Sequence, residues 1–199
     1  MEVLAGVRAR SASAGAEHSL VATEGGALYS FGPGADGRLG HGGVGSERWP
    51  KMVDALRHVR IAAAAAGSRH SLALAEDGTV FSWGGNDGCQ LGLGCSGGDE
   101  PLLHRVEALS GHTVRSVAAG HTTSCALTAA GELFTWGRGR AGKLGHGDPV
   151  DQLAPRHVEV LHGEWVVAVS ASLSHTVAAT REGGVFGWEE EEALGLPAC

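Results

Sequence analysis

Aromatic residues, lysines, prolines and long apolar runs are all scarce in this 199-residue chain, and each shortage excludes something. No apolar run approaches the ~18 residues a membrane span needs, since Ile61 to Ala66 covers only six, and Met1 to Gly15 carries two Arg without a continuous apolar stretch. The four cysteines, Cys89, Cys95, Cys125 and Cys199, have no C-x-x-C spacing, which indicates neither a zinc ribbon nor a disulfide scaffold and fits a reducing compartment. Lysine occurs twice beside 13 Arg, and the formal charge of −7 is opposite in sign to a broad nucleic-acid footprint. What is abundant is glycine: 33 residues, about 17% against a usual ~7%, with only 6 Pro, a pattern of many turns rather than of a linker or collagen. Hydrophobic residues at 43% suffice for a sizeable core, so disorder is excluded.

The chain repeats itself. An anchor position occupied by His18, His70, Thr123 and His175, spaced 52, 53 and 52 residues apart, is followed thirteen residues later by Phe31, Trp83, Trp136 or Trp188. Between them lies a two-residue turn ending in glycine, Gly25-Gly26, Asp77-Gly78, Ala130-Gly131 or Glu182-Gly183, flanked by short apolar and β-branched stretches, which predicts an antiparallel hairpin. A Gly-rich loop then runs to Leu39-Gly40, Leu91-Gly92 or Leu144-Gly145. The connecting segments repeat too, as Pro50, Pro101 or Pro155 ahead of Val53-x-x-Leu56, Val106-x-x-Leu109 or Val158-x-x-Leu161, followed by an apolar strand from Ile61, Val114 or Val166. Each unit of ~52 residues holds about four strands, one blade of a propeller. The predicted fold is an all-β propeller with a partial ring of about four four-stranded antiparallel blades. The whole of 1–199 forms a single repeat domain, with hairpin repeats at about 14–42, 66–94, 119–147 and 171–196.

The second copy, Ala66 to Leu74, Asp77-Gly78, Val80 to Gly84, Asn86 and Gln90 to Gly94, resembles the repeat of the regulator of chromosome condensation family, and the resemblance runs from about Ala14 to Leu196. It implies a seven-bladed β-propeller needing ~360 residues, of which this chain supplies a little over half. An open arc leaves blade faces and strand edges uncovered. Three explanations stand: a fragment of a longer protein, pairing of two chains with self-association through open blade edges, or an open array. The last copy departs from the pattern, with Glu189 after Trp188 and a loop to Leu194-Gly195 two residues shorter, filled by Glu189 to Glu192, read as a solvated end.

The recurring His18, His70 and His175 sit in different blades and do not converge on one ion, so they are expected to be structural, each bonding backbone within its own blade. Thr123 at the same position argues against an obligatory site. His157 and His162 lack any metal-ligand pattern around them. Trp83, Trp136 and Trp188 are expected in the blade core, Trp49 and Trp165 at the rim. A photoreceptor branch of the family uses clustered Trp beside a Gly-Trp-Arg-His-Thr motif, whereas Ala16, Ser68, His121 and Leu173 stand here. No G-x-x-x-x-G-K-[ST] phosphate loop and no G-x-S-x-G elbow is present, and neither catalysis nor a cofactor is expected.

Charged loop residues are the remaining candidates for recognition: Asp36 and Arg38, Asp87, and Arg138, Arg140 and Lys143, on loops that a rigid scaffold would display on one face. The expected function is a non-catalytic protein-interaction scaffold, a module of a longer propeller protein in cytosol or nucleus that contacts neither nucleic acid nor membrane directly. The alternative that the resemblance implies is guanine-nucleotide exchange on a Ran-like small GTPase. Even anchor spacing leaves no room for the inserted wedge that this activity needs.

Overall fold

A computed structural model describes residues 6–189. Glu190 to Glu192, Leu194-Gly195 and Cys199, with the expectations attached to them, lie outside the described residues. The chain folds as an all-β propeller of four antiparallel blades. Blade 1 comprises β1 (Ala9–Ala14), β2 (Ser19–Thr23), β3 (Leu28–Gly32) and β4 (Glu47–Met52). Blade 2 comprises β5 (Ile61–Ala66), β6 (His70–Ala75), β7 (Val80–Gly84) and β8 (Glu100–Arg105). Blade 3 comprises β9 (Val114–Ala119), β10 (Thr123–Thr128), β11 (Leu133–Gly137) and β12 (Gln152–His157). Blade 4 has β13 (Val166–Ala171), β14 (Thr176–Thr180) and β15 (Val185–Trp188) among the described residues. Strands pair in chain order within each blade, and β1, β5, β9 and β13 follow one another around the axis.

The hairpin loops hold three residues rather than two. Ala75 N–H bonds Thr79 O at 2.8 Å and Gly78 N–H bonds Ala75 O at 3.0 Å, a type I turn followed by a left-handed residue. That residue is Gly26, Gly78, Gly131 or Gly183, with φ between 82° and 88°, so the sequence signal marked the right glycine in a longer loop. The Val-x-x-Leu segments are single 3-10 turns at Asp54–Leu56, Glu107–Leu109 and Glu159–Leu161. Each preceding proline lies on the outer strand of its blade, where a missing N–H is tolerated.

The core lies between blades rather than inside them, because a single sheet has no thickness in which to bury a side chain. Leu20, Ala22, Leu28, Val53 and Leu56 of blade 1 meet Ile61, Ala73, Ala75 and Trp83 of blade 2. Leu72, Leu74 and Val80 of blade 2 then meet Ala126, Phe134 and Trp136 of blade 3, and Cys125, Leu127 and Leu133 meet Ala178 of blade 4. Trp83 and Trp136 are fully buried at these junctions, facing the preceding blade. Their register partners across the hairpin, Ser71 and Ser124, point the same way.

Serine and tryptophan converge on one carbonyl of the preceding blade. Ser71 Oγ–H and Trp83 Nε1–H donate to Arg38 O at 2.7 and 2.8 Å; Ser124 Oγ–H and Trp136 Nε1–H donate to Gln90 O at 2.7 and 2.9 Å. The anchor histidine completes the set across the junction. His18 Nε2 lies 2.8 Å from Ser71 Oγ, and His70 Nε2 lies 2.9 Å from Ser124 Oγ. The expected bond to backbone in its own blade is therefore replaced by a bond to the next blade, because the ring projects past its own sheet into the junction. Each serine has one hydroxyl hydrogen, already given to the carbonyl, so Nε2 carries the imidazole proton and donates. Nδ1 is left as a buried lone pair with no partner. The glycine of each Leu-Gly pair admits the neighbouring indole: a Cβ on Gly40 or Gly92, both at positive φ, would stand 2.9 or 2.7 Å from Trp83 or Trp136 Nε1.

Protonating Nδ1 would bury a charge and an N–H without an acceptor. Desolvation, with the nearby Arg38 charge, holds the His18 pKa down at about 4, and desolvation holds His70 at about 3, against 6.5 in an exposed imidazole. Below pH 6.5 the unfolded chain binds protons that the folded one refuses, so their contribution to stability is complete above that pH and falls as pH drops toward about 4. The expected slope is up to ~1.4 kcal/mol per pH unit for each imidazole, measured by urea unfolding across that window. His70→Ala should cost about 2–3 kcal/mol at neutral pH, from the cavity and the lost bond together.

Candidate protein-binding face

The β1–β2 turns and the Gly-rich loops between β3 and β4, and their counterparts in the following blades, emerge on the same face. Backbone bonds tie the turns together near the axis: Ala16 N–H to Gly67 O, Ser68 N–H to Gly120 O and His121 N–H to Ser172 O, at 3.1–3.2 Å. Outside this inner ring stand the charged residues.

Arg38 and Lys143, expected among the displayed residues, are 4% and 7% exposed. The Arg38 guanidinium bonds Glu17 Oε2 at 2.7 Å, Asp36 Oδ2 at 2.6 Å and its own loop at Ala35 O, and reaches Ser68 O of blade 2 at 3.2 Å. Lys143 Nζ donates to Thr122 Oγ1 at 3.1 Å and lies 3.5 Å from Leu173 O of blade 4. Gln90 takes the same repeat position in blade 2 and is fully buried, its Oε1 accepting Gly88 N–H. These three side chains fold back into the junctions, where their hydrogen bonds offset the cost of burying a polar group.

Asp36 is also mostly enclosed. Arg69, a residue the sequence reading did not select, grips it with Nε and Nη2 at 2.9 and 2.7 Å, and extends to Asp87 at 3.3 Å and Asp99 at 3.8 Å. Arg138 reaches Asp87 O at 3.3 Å and the Asp87 carboxylate at 3.8 Å. Alternating charges thus run from Glu17 through Arg38, Asp36, Arg69 and Asp87 to Arg138, across blades 1, 2 and 3. Hydrogen bonding from Arg69, aided by Arg38, holds the Asp36 pKa at about 2, and the same bond raises that of Arg69. The change of sign between Glu17 and Arg69, side by side with successive anchors, was the available signal for this chain of ion pairs.

Arg140 is different. It is exposed, with no hydrogen bond or ion pair among the described residues, and with Arg138, Pro149 and Asp151 it lines an open hollow of about 510 Å³. Asp151 Oδ1 is engaged by Gly139 N–H at 2.8 Å. Asp87, Arg138 and Arg140 are therefore the expected recognition residues that remain at the surface. Trp165 packs at the rim under the Arg181 guanidinium, 4.0 Å from the ring centroid, and Trp49 is 45% exposed. No helix among the described residues is long and apolar enough to cross a membrane.

The model of the regulator of chromosome condensation (RCC1) repeat matches residues 25–74, 77–127 and 130–179, each match starting in or beside a hairpin turn and ending inside the next hairpin. The chain belongs to the RCC1 repeat family. It is 39% identical over 194 residues to human E3 ubiquitin-protein ligase HERC2, covering 96% of this chain and 4% of the ligase. It is 33% identical over 188 residues to the ultraviolet-B receptor UVR8 of Arabidopsis thaliana, covering 94% of this chain and 42% of the receptor. Among solved structures it resembles human WBSCR16, with a TM-score of 0.83 and 28% identity over 92% of this chain and 48% of that one. It also resembles yeast RCC1 (Prp20) in its structure with Kap60, with a TM-score of 0.81 and 25% identity over 92% and 44% of the two chains. The chain thus spans less than half the length of each of these relatives.

Asp36→Asn keeps a residue that tolerates the left-handed backbone there, φ 61°, while removing the charge that Arg69 and Arg38 share. It should cost about 1–2 kcal/mol at pH 7 by thermal or urea unfolding. The wild-type carboxylate stabilises fully above pH 3.8 and loses that contribution as pH falls toward about 2, so the variant should lose less stability across that window.

Proposed function

We propose that this RCC1-type propeller is a non-catalytic protein-interaction scaffold that recognises its partner on the face carrying the Gly-rich loops. The observation that carries this reading is the division of the charged residues on that face. Arg38, Lys143, Asp36 and Arg69 are spent on holding blades together, whereas Arg140 stands exposed beside Arg138 at the rim of an open hollow. A rigid framework under exposed loop residues is the usual basis of a binding face. The family gives the same direction, since the yeast relative is seen with a protein, Kap60, and the matched region is 4% of HERC2 and 42% of UVR8.

The β3–β4 loop and its two counterparts are of nearly equal length, which does not favour nucleotide exchange on a Ran-like GTPase. The variant Arg140→Glu should keep its unfolding midpoint while losing, by at least tenfold in affinity, the partners that the wild-type chain retains in quantitative binding assays. Unchanged partner affinity would move the binding face elsewhere. Labelled GDP should leave a Ran-type GTPase at the same rate with and without the protein; acceleration would replace the scaffold reading with exchange.

A further inference from the structure

The β7–β8 loop carries two cysteines where its counterparts in blades 1 and 3 carry none. Cys89 takes the repeat position filled by Gly37 and Gly142 in the neighbouring copies, where those glycines have φ of 76° and 70°. Cys89 keeps the same left-handed backbone, φ 61°, at a cost that glycine does not bear, and it is 2% exposed. Further along the loop stands Cys95, exposed, where the other copies have Gly43 and Asp148.

The fold brings the two together through Asn86, which is fully buried. Asn86 O accepts both Cys89 N–H and Gly97 N–H at 3.1 Å, and Asn86 Nδ2 donates to Cys95 O at 3.2 Å. One residue thus holds the buried and the exposed limbs of the loop side by side. Gly94 N–H is pinned in turn to Leu153 O of β12 at 2.9 Å, so Cys95 and Ser96 form a short span fixed at both ends. The Cys89 thiol lies against this span: it bonds the Ser96 side chain and feels the charge of Cys95, while burial raises its pKa. A disulfide needs Cα atoms about 4.4–6.8 Å apart, the scale on which two limbs sharing one carbonyl are spaced.

We propose that Cys89 and Cys95 are a thiol–disulfide modification site that takes a peroxide as its oxidant. Cys95, the exposed member, meets the oxidant: its sulfur attacks one peroxide oxygen, the O–O bond breaks, and a sulfenic acid forms as one water leaves. The Cys89 sulfur then attacks the Cys95 sulfur and the S–O bond breaks. The departing hydroxide takes up the Cys89 proton as a second water. Two electrons pass from the two sulfurs to the peroxide, and a dithiol reductant reverses the change. The new bond falls between Asp87, which faces Arg69 and Arg138 at the surface, and Gln90, whose carbonyl receives Ser124 and Trp136 of blade 3.

Reduced, folded chain treated with hydrogen peroxide and then with trypsin tests this, because both cysteines lie in the peptide 70–105. That peptide should lose the mass of two hydrogens, and both thiols should resist alkylation until dithiothreitol is added. Cys95→Ser should abolish the loss. Cys89→Gly, which restores the residue of the neighbouring copies, should instead accumulate a dimedone adduct at Cys95, at least tenfold above wild type. In glutathione buffer, closure should be at least tenfold more favourable in the folded chain than in concentrated urea, which separates a pair placed by the fold from two cysteines that are only near in sequence. Thiols that stay open to alkylation after peroxide, a link that runs to Cys125, Cys199 or a second chain, or equal closure in urea would each overturn the proposal.

Discussion

A carbonyl oxygen with two donors aimed at it sets the distance between neighbouring blades. Arg38 O and Gln90 O each accept an indole N–H and a serine hydroxyl from the next sheet. The serine in turn accepts the anchor imidazole, so three side chains from two blades are fixed by one loop carbonyl. The indole must lie flat against the Leu-Gly corner to reach that oxygen, and in doing so it closes the apolar layer between the sheets. Polar geometry and hydrophobic burial are therefore satisfied by the same placement, and neither junction could slide by a residue without losing both.

The third junction shows what happens when one member changes. Thr123 replaces the histidine and Thr176 the serine, and both hydroxyls are buried without partners. An unmet buried hydroxyl costs roughly 1–3 kcal/mol, so blade 4 is held on the framework less firmly than the blades before it. Lys143 acts near the same place, its ammonium bonded to Thr122 and close to Leu173 O of blade 4. The chain thus has two uniform junctions and one that relies on a longer, more adaptable side chain.

Most of this architecture was legible in the sequence because a repeat multiplies each weak signal by its number of copies. The hairpin glycine, the Trp at its fixed distance and the Val-x-x-Leu turn each recur, and all appear where the spacing placed them. What escaped were relations between blades. Ser71 looks like any strand serine until Arg38 O and His18 Nε2 are found against it, 33 and 53 residues away in the chain. Arg38 and Lys143 read as loop charges because the groups that enclose them, Glu17, Ser68, Thr122 and Leu173, are 21 to 30 residues distant. Spacing reveals what a unit is made of; the side on which its neighbour lies comes only from the fold.

The outer strands carry a further consequence. β4, β8 and β12 each contain a proline, and each is the last strand of its sheet. A strand at a sheet's edge can template the addition of a foreign strand through its unused N–H groups, and proline deletes one of them within the run. Outward growth of these three sheets is therefore discouraged by a covalent ring as well as by the charges of Arg48, Lys51, Arg105 and Arg156, and the ring's share of that protection persists at any pH or salt concentration.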